Sequence, residues 1–340
     1  MDEQFQLWLI GGGLCVGIVF GILAQRSRFC AVSAVSNSSL MRDYRYLDAY
    51  IAAILVGLIG TQTLEMTGSV DIGGSAYRRP SINWVGALFG GFIFGIGSMI
   101  SGGCASRTLI RTAEGNIGAM VTLLAFSLVG MITLFGVLDP VREWTSSSSL
   151  YIETGDSSIA RIMGLPSYLL PIIVVIIGIA VLYYHLQSQN NWSYIVYGCG
   201  IGLCVVISWW LTGVMGQDEF FESPPSSIAV AGPLSRSAVF LTTGEVTGSY
   251  FGLFLLVGML FGAFVSAYIS GQLRWVTPAG SMVGSYLLGG AIMGAGAILA
   301  GGCNVGQGLS GLSTFSLTSL LAVCGMIFGM WLALRWIKSA

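Results

Sequence analysis

Two stretches far apart in the chain place a cysteine behind paired glycines: SGGCASRTL from Ser101 to Leu109 and AGGCNVGQGL from Ala300 to Leu309. Each closes a hydrophobic run and opens a polar one. A third cysteine, Cys30, ends the polar run QRSRFC that starts at Gln25. A thiol is a weak donor and a weak acceptor, so three of them suit brief contacts with a sulfur-bearing anion, and weak successive sites suit conduction. The same groups serve two other chemistries. A thiolate, favoured by a cation such as Arg107 beside Cys104, attacks sulfane sulfur and carries it as a persulfide. Thiolates and thioethers also hold Cu(I), but the one Met-x-x-x-Met pair, Met326 and Met330, lies in an apolar run where core packing explains it.

The surrounding chain is built for lipid. Of its 340 residues 54% are hydrophobic and 9% charged, where a soluble domain carries about 25% charged residues. A bilayer core takes about 20 apolar residues per helix, and nine such stretches occur, near 7–24, 46–64, 84–100, 117–138, 167–186, 194–214, 249–270, 282–299 and 316–337. The sequence therefore predicts an all-α polytopic membrane protein. The first stretch lacks a basic segment before it, so it reads as a permanent span and not as a cleaved signal. With the N-terminus outside and the C-terminus in the cytoplasm, nine basic residues face inward and five outward, the asymmetry cytoplasmic loops favour. Cys15, Cys199, Cys204 and Cys324 read as small hydrophobes within spans, and His185 as the end of a span. A net charge of −1 points to no nucleic-acid partner.

The chain also repeats itself. Gly90 to Cys104 and Gly289 to Cys303 share 8 identities in 15 positions at an offset of 199 residues, and weaker echoes pair spans one to four with spans six to nine. Matching spans are five apart, an odd number, so the halves face opposite ways, as in the inverted repeats of many transporters. This divides the chain into a first repeat (1–140), an outer loop with a connecting span (141–192) and a second repeat (193–340). The segments after each Gly-Gly-Cys are too short and polar to cross. They read as re-entrant half-helices, which survive at membrane depth only when wrapped by protein or a cavity. QRSRFCAVSAV at 25–35 makes a third, and its counterpart, the Pro/Ser-rich stretch at 222–239, has no cysteine. Four half-helices and three cysteines result.

Candidate path residues follow. Cys30, Cys104 and Cys303 carry the contacts. Gly103 and Gly302 let backbone or ligand approach, and helix N-termini behind the cysteines favour an anion. Asn304, Gln307, Arg107, Arg111 and Glu114 supply polar lining, with Arg111 and Glu114 also placed to pair at i and i+3. No phosphate-binding loop occurs and no motif calls for a cofactor. With one histidine, remote from the motifs, a Cys-His catalytic pair is absent, which favours a transporter over an enzyme.

At these residues the chain resembles a known family. QRSRFC, GGCASRTLIRTAEGNIG at 102–118 and GGCNVGQGL at 301–309 are similar to the three signature segments of the YeeE/YedE (TsuA) family of bacterial inner-membrane sulfur-compound transporters. The resemblance implies thiosulfate import through an hourglass-shaped helical protein, with the ion relayed by Cys30, Cys104 and Cys303. It also implies a cytoplasmic TusA-like sulfur carrier as partner. Arg111, Glu114, Gly115 and Gln307 match the family pattern, while Arg107 stands where a small residue is usual. Related members are linked to selenium, so a selenium compound is an alternative cargo.

Overall fold

A computed structural model describes residues 3–151, 156–164, 166, 168–188, 191–215, 224–243 and 249–339. Ser167, Glu222 and Ser223, at the edges of two predicted segments, lie outside the described residues. The described residues are all-α apart from one short antiparallel pair, β1 (Ser81–Ile82) and β2 (Leu150–Tyr151). The helices are α1 (Glu3–Ser27), α2 (Ala31–Leu40), α3 (Arg45–Met66), α4 (Gly91–Ile100), α5 (Ala105–Ala113), α6 (Ile117–Phe135) and α7 (Asp139–Ser147). They continue with α8 (Ile159–Ile162), α9 (Leu169–Ser188), α10 (Trp192–Trp210), α11 (Ala231–Thr243), α12 (Tyr250–Ile269), α13 (Gly280–Leu299) and α14 (Leu317–Ser339). Among the described residues nine helical stretches are long and apolar enough to cross a membrane, and they coincide with the nine read from the sequence.

The bundle is held by close crossings: α1 on α12, α10 on α3, α13 on α6, and α4 on both α14 and α13. In lipid there is little hydrophobic drive between helices, so small residues that bring backbones together do the packing. A side chain on Gly13 would sit 2.6 Å from the Phe251 carbonyl, and one on Gly294 2.5 Å from that of Phe126. Gly17 and Gly258 pack reciprocally, on the carbonyls of Leu255 and Leu14. Gly91 and Gly95 rest on Ala322 and Met326, so the latter serves packing, as the sequence suggests.

α9 lies on the outside of the bundle against α3, with Ile172, Ile176 and Ile179 exposed. One polar contact pins it. His185 Nδ1 meets Asp48 Oδ1 at 2.6 Å, Asn191 donates to the other carboxylate oxygen at 2.8 Å, and Tyr44 stacks on the imidazole. Asp48 is wholly buried, a position a carboxylate holds only when its oxygens are paired. His185 does end its helix, but it also fixes the start of α3. At the opposite end of α3, buried Arg78 binds Glu65 through both terminal nitrogens and donates from Nε to the Thr314 carbonyl at 2.7 Å. That bond ties α3 to the turn before α14.

Replacing Gly17 with valine is expected to destabilise the detergent-solubilised protein by about 1–3 kcal/mol through overpacking. Gly11→Val, where nothing lies within 4 Å, serves as the control. Equal thermal midpoints for the two variants would contradict the crossing as described.

Candidate functional site

The three cysteines occupy one kind of local structure. α4 stops at a glycine with φ of 73°, Gly102, and α13 stops at Gly301 with φ of 74°. In each case the next N–H reaches back five residues, Gly103 to Ser98 at 2.9 Å and Gly302 to Ala297 at 2.8 Å. This is a left-handed helix cap, which glycine adopts without cost. The chain then extends for one residue, the cysteine, and coils again: Thr108 N–H bonds the Cys104 carbonyl at 2.8 Å and Gln307 N–H the Cys303 carbonyl at 2.7 Å. The third break lacks glycine. Arg28 itself has φ of 51°, and Ala34 N–H bonds the Cys30 carbonyl at 3.0 Å. A non-glycine residue in that region is uncommon and marks strain. At the fourth break Leu234 N–H bonds the Val230 carbonyl at 3.0 Å, so Val230 stands where a cysteine would complete the set.

The conformational demand therefore falls on the first glycine of each pair. Gly103 and Gly302 have ordinary φ, and an added methyl would meet Arg107 Cγ at 3.6 Å or Gln307 Cγ at 3.2 Å.

All three sulfurs are buried. Those of Cys30 and Cys104 touch at 3.6 Å, and Ser106 Oγ lies 3.4 Å from Cys104 Sγ. Cys303 lies elsewhere, on the lining of a cavity of about 600 Å³. Arg79, Arg142 and Arg236 are among its lining residues, Arg142 paired with Asp139 at 2.6 Å, and Gly301, Gly302 and Gln307 accompany Cys303. Tyr77 also lines it. Burial, with Cys303 nearby, pushes the Tyr77 hydroxyl above the ordinary phenol range, so it stays a hydrogen-bond donor.

The remaining candidates divide by role. Gln307 is already engaged, donating to the Ala300 carbonyl at 2.9 Å and accepting from Ser319 at 2.6 Å, so it shapes the turn around Cys303. Asn304 is buried, and neither its amide nitrogen nor its oxygen has a hydrogen-bond partner. Glu114 does not pair with Arg111: it binds Arg107 at 3.2 Å, while Arg111 donates to the Gly102 carbonyl at 3.2 Å. Glu114 follows α5 as its cap, and two helical turns back put the Arg107 guanidinium within its reach. Arg111 instead secures the glycine break.

Two tyrosines and three arginines at the site were not singled out from the sequence. Tyr50 sits in an apolar helix where nothing but its hydroxyl marks it, and the arginines come from three separate segments. The sequence profile of a family described as sulphur transport matches residues 26–332. This chain belongs to the sulphur-transport family. It is 26% identical to the thiosulfate transporter TsuA of Escherichia coli (strain K12), over 96% of this chain and 94% of that protein. It is 28% identical to the thiosulfate transporter TsuA of Spirochaeta thermophila, over 97% of this chain and 99% of that protein. A shorter match, 28% over 110 residues, is to the probable transporter YedE of Escherichia coli, covering 32% of this chain and 25% of that one. With nine apolar helices among the described residues, this member of the sulphur-transport family is a multi-pass membrane transporter of sulfur compounds.

Gly102→Ala should cost about 1–2 kcal/mol, the penalty for a side chain in the left-handed region, and Gly103→Ala clearly less. Chemical unfolding in detergent measures both, and equal losses would show that space, not φ, governs the break.

Proposed function

We propose that the chain imports thiosulfate, or a closely similar small sulfur anion, across the bacterial inner membrane, with its N-terminus outside. The observation that carries this is the arginine-lined cavity that ends on a buried thiol, Cys303. Arg79 and Arg236 raise the local anion concentration in it, while Arg142 is paired with Asp139. Deeper in, helix N-termini supply partial positive charge, and the Cys303 thiol contacts the terminal sulfur of the ion. The ion then passes to Cys30 and Cys104, which it meets as a pair because their sulfurs touch. No site binds strongly enough to trap it, which suits conduction. The Arg107–Glu114 pair borders the far side, and pairing restrains Arg107 from holding the anion as a bare cation would. On that face a TusA-like carrier that consumes the sulfur would keep uptake running inward.

An inverted repeat accounts for the frame. Span one of each half crosses span two of the other (α1 on α12, α10 on α3), and likewise three crosses four (α4 on α14, α13 on α6). Gly97 packs on Gly289 and Met293, and at the same offset Gly296 packs on Gly90 and Phe94. The short helices α2, α5 and α11, with the helical turn Gly306–Gly311 after Cys303, are then the four re-entrant segments.

Proteoliposomes containing the wild type are expected to accumulate intact radiolabelled thiosulfate. Cys303→Ala and Cys104→Ala should each slow entry by about tenfold, the effect of one lost contact of about 1.4 kcal/mol. Undiminished entry in both variants would contradict the thiol path, and a persulfide on Cys104 with no intact ion inside would replace transport by sulfur transfer.

A further inference from the structure

The cavity lining includes Cys303 but neither Cys104 nor Cys30. Tyr50 stands between the two sulfur layers. Its ring stacks on Phe29, the neighbour of Cys30, with centroids 5.0 Å apart and planes inclined by 13°. Its hydroxyl donates to the backbone carbonyl of Asn304, the neighbour of Cys303, at 2.7 Å. Gly308 makes room for it, since a side chain there would come within 2.5 Å of the hydroxyl oxygen. Two residues before Tyr50, the Asp48 contacts with His185 and Asn191 hold the helix that carries it.

The second observation is the Asn304 side chain. It is 3% exposed and has no hydrogen-bond partner on nitrogen or oxygen. An unpaired buried amide costs about 1–3 kcal/mol, so its place here calls for a reason, of which a bound ion or water is one.

Building on the path proposed above, the geometry points to Tyr50 as the gate between the thiol layers. Its bond to the Asn304 carbonyl closes the step from Cys303 to the Cys30 and Cys104 pair. Opening it presents the Asn304 amide to the oxygens of the passing anion. The gate selects on both ends of the ion: thiols for the terminal sulfur, an amide for the oxyanion group.

The test applies a membrane-impermeant methanethiosulfonate reagent to the cavity side of vesicles holding the full chain, with modification of each cysteine followed by mass spectrometry. In the wild type, Cys303, buried but on the cavity lining, should be modified faster than Cys104, which is off it. Tyr50→Phe keeps the stack and removes the latch, and should speed modification of Cys104 by about tenfold, the worth of one hydrogen bond. Gly308→Ala, which crowds the hydroxyl from the other side, should do the same if the first variant fails to fold. Asn304→Ala retains the carbonyl, so Cys104 should stay protected while the KM for thiosulfate rises. Protection of Cys104 unchanged in Tyr50→Phe and Gly308→Ala, with Cys303 still reactive, would overturn the gate. Cys104 as reactive as Cys303 in the wild type would do so too. Labelling needs no thiosulfate, so a wild type that labels as expected but takes up no thiosulfate would sink the cargo assignment and leave the gate standing.

Discussion

A helix that stops inside a bilayer leaves backbone groups without water, and they must find partners in protein. On the re-entrant reading proposed above, the constraint governs this molecule because its cysteines sit at helix breaks. Each break needs neighbouring helices near enough to wrap it. The glycine crossings bring them there, with Gly17 against Leu255 and Gly258 against Leu14 on one side of the bundle, and Gly91 against Ala322 on the other. Gly102 and Gly301, in contrast, turn the chain so that a buried thiol follows.

Around these breaks the polar groups divide between frame and path. Gln307, Arg111 and Arg78 spend their hydrogen bonds on backbone carbonyls that define the turns. The Asp48 contacts anchor an otherwise lipid-facing helix to α3. On the path proposed above, what remains for an ion is sparse: Arg79 and Arg236 on the cavity lining, three thiols, a tyrosine hydroxyl and the unpartnered amide of Asn304. Sparse and weak contacts fit a transporter, since a path lined by unpaired cations would bind its anion too firmly to release it.

The sequence carries the architecture plainly because spans, glycine ridges and paired motifs are local or periodic. The two Gly-Gly-Cys segments could be found by their shared offset, and their polar continuations marked helices that stop and restart. Pairings across the fold were hidden. Helical spacing favours Arg111, one turn from Glu114, over Arg107, two turns away, but the break at Gly102 claims Arg111 and leaves Arg107 to pair. His185 reads as a span end because its partner Asp48 is 137 residues away. Tyr50 escapes for the same reason: its hydroxyl matters through a carbonyl 254 residues distant. Positive φ at Arg28 has no residue signature, since no glycine stands there.

The central claim is that a sulfur anion enters the arginine-lined cavity with its terminal sulfur against Cys303. Selenosulfate, in which selenium replaces that terminal sulfur, tests it directly by anomalous diffraction from crystals of the full chain. The account predicts a selenium peak in the cavity beside Cys303 Sγ, with the three oxygens turned toward Arg79 and Arg236. A selenium peak at the arginines with the oxygens turned inward, or one outside the cavity, would contradict it.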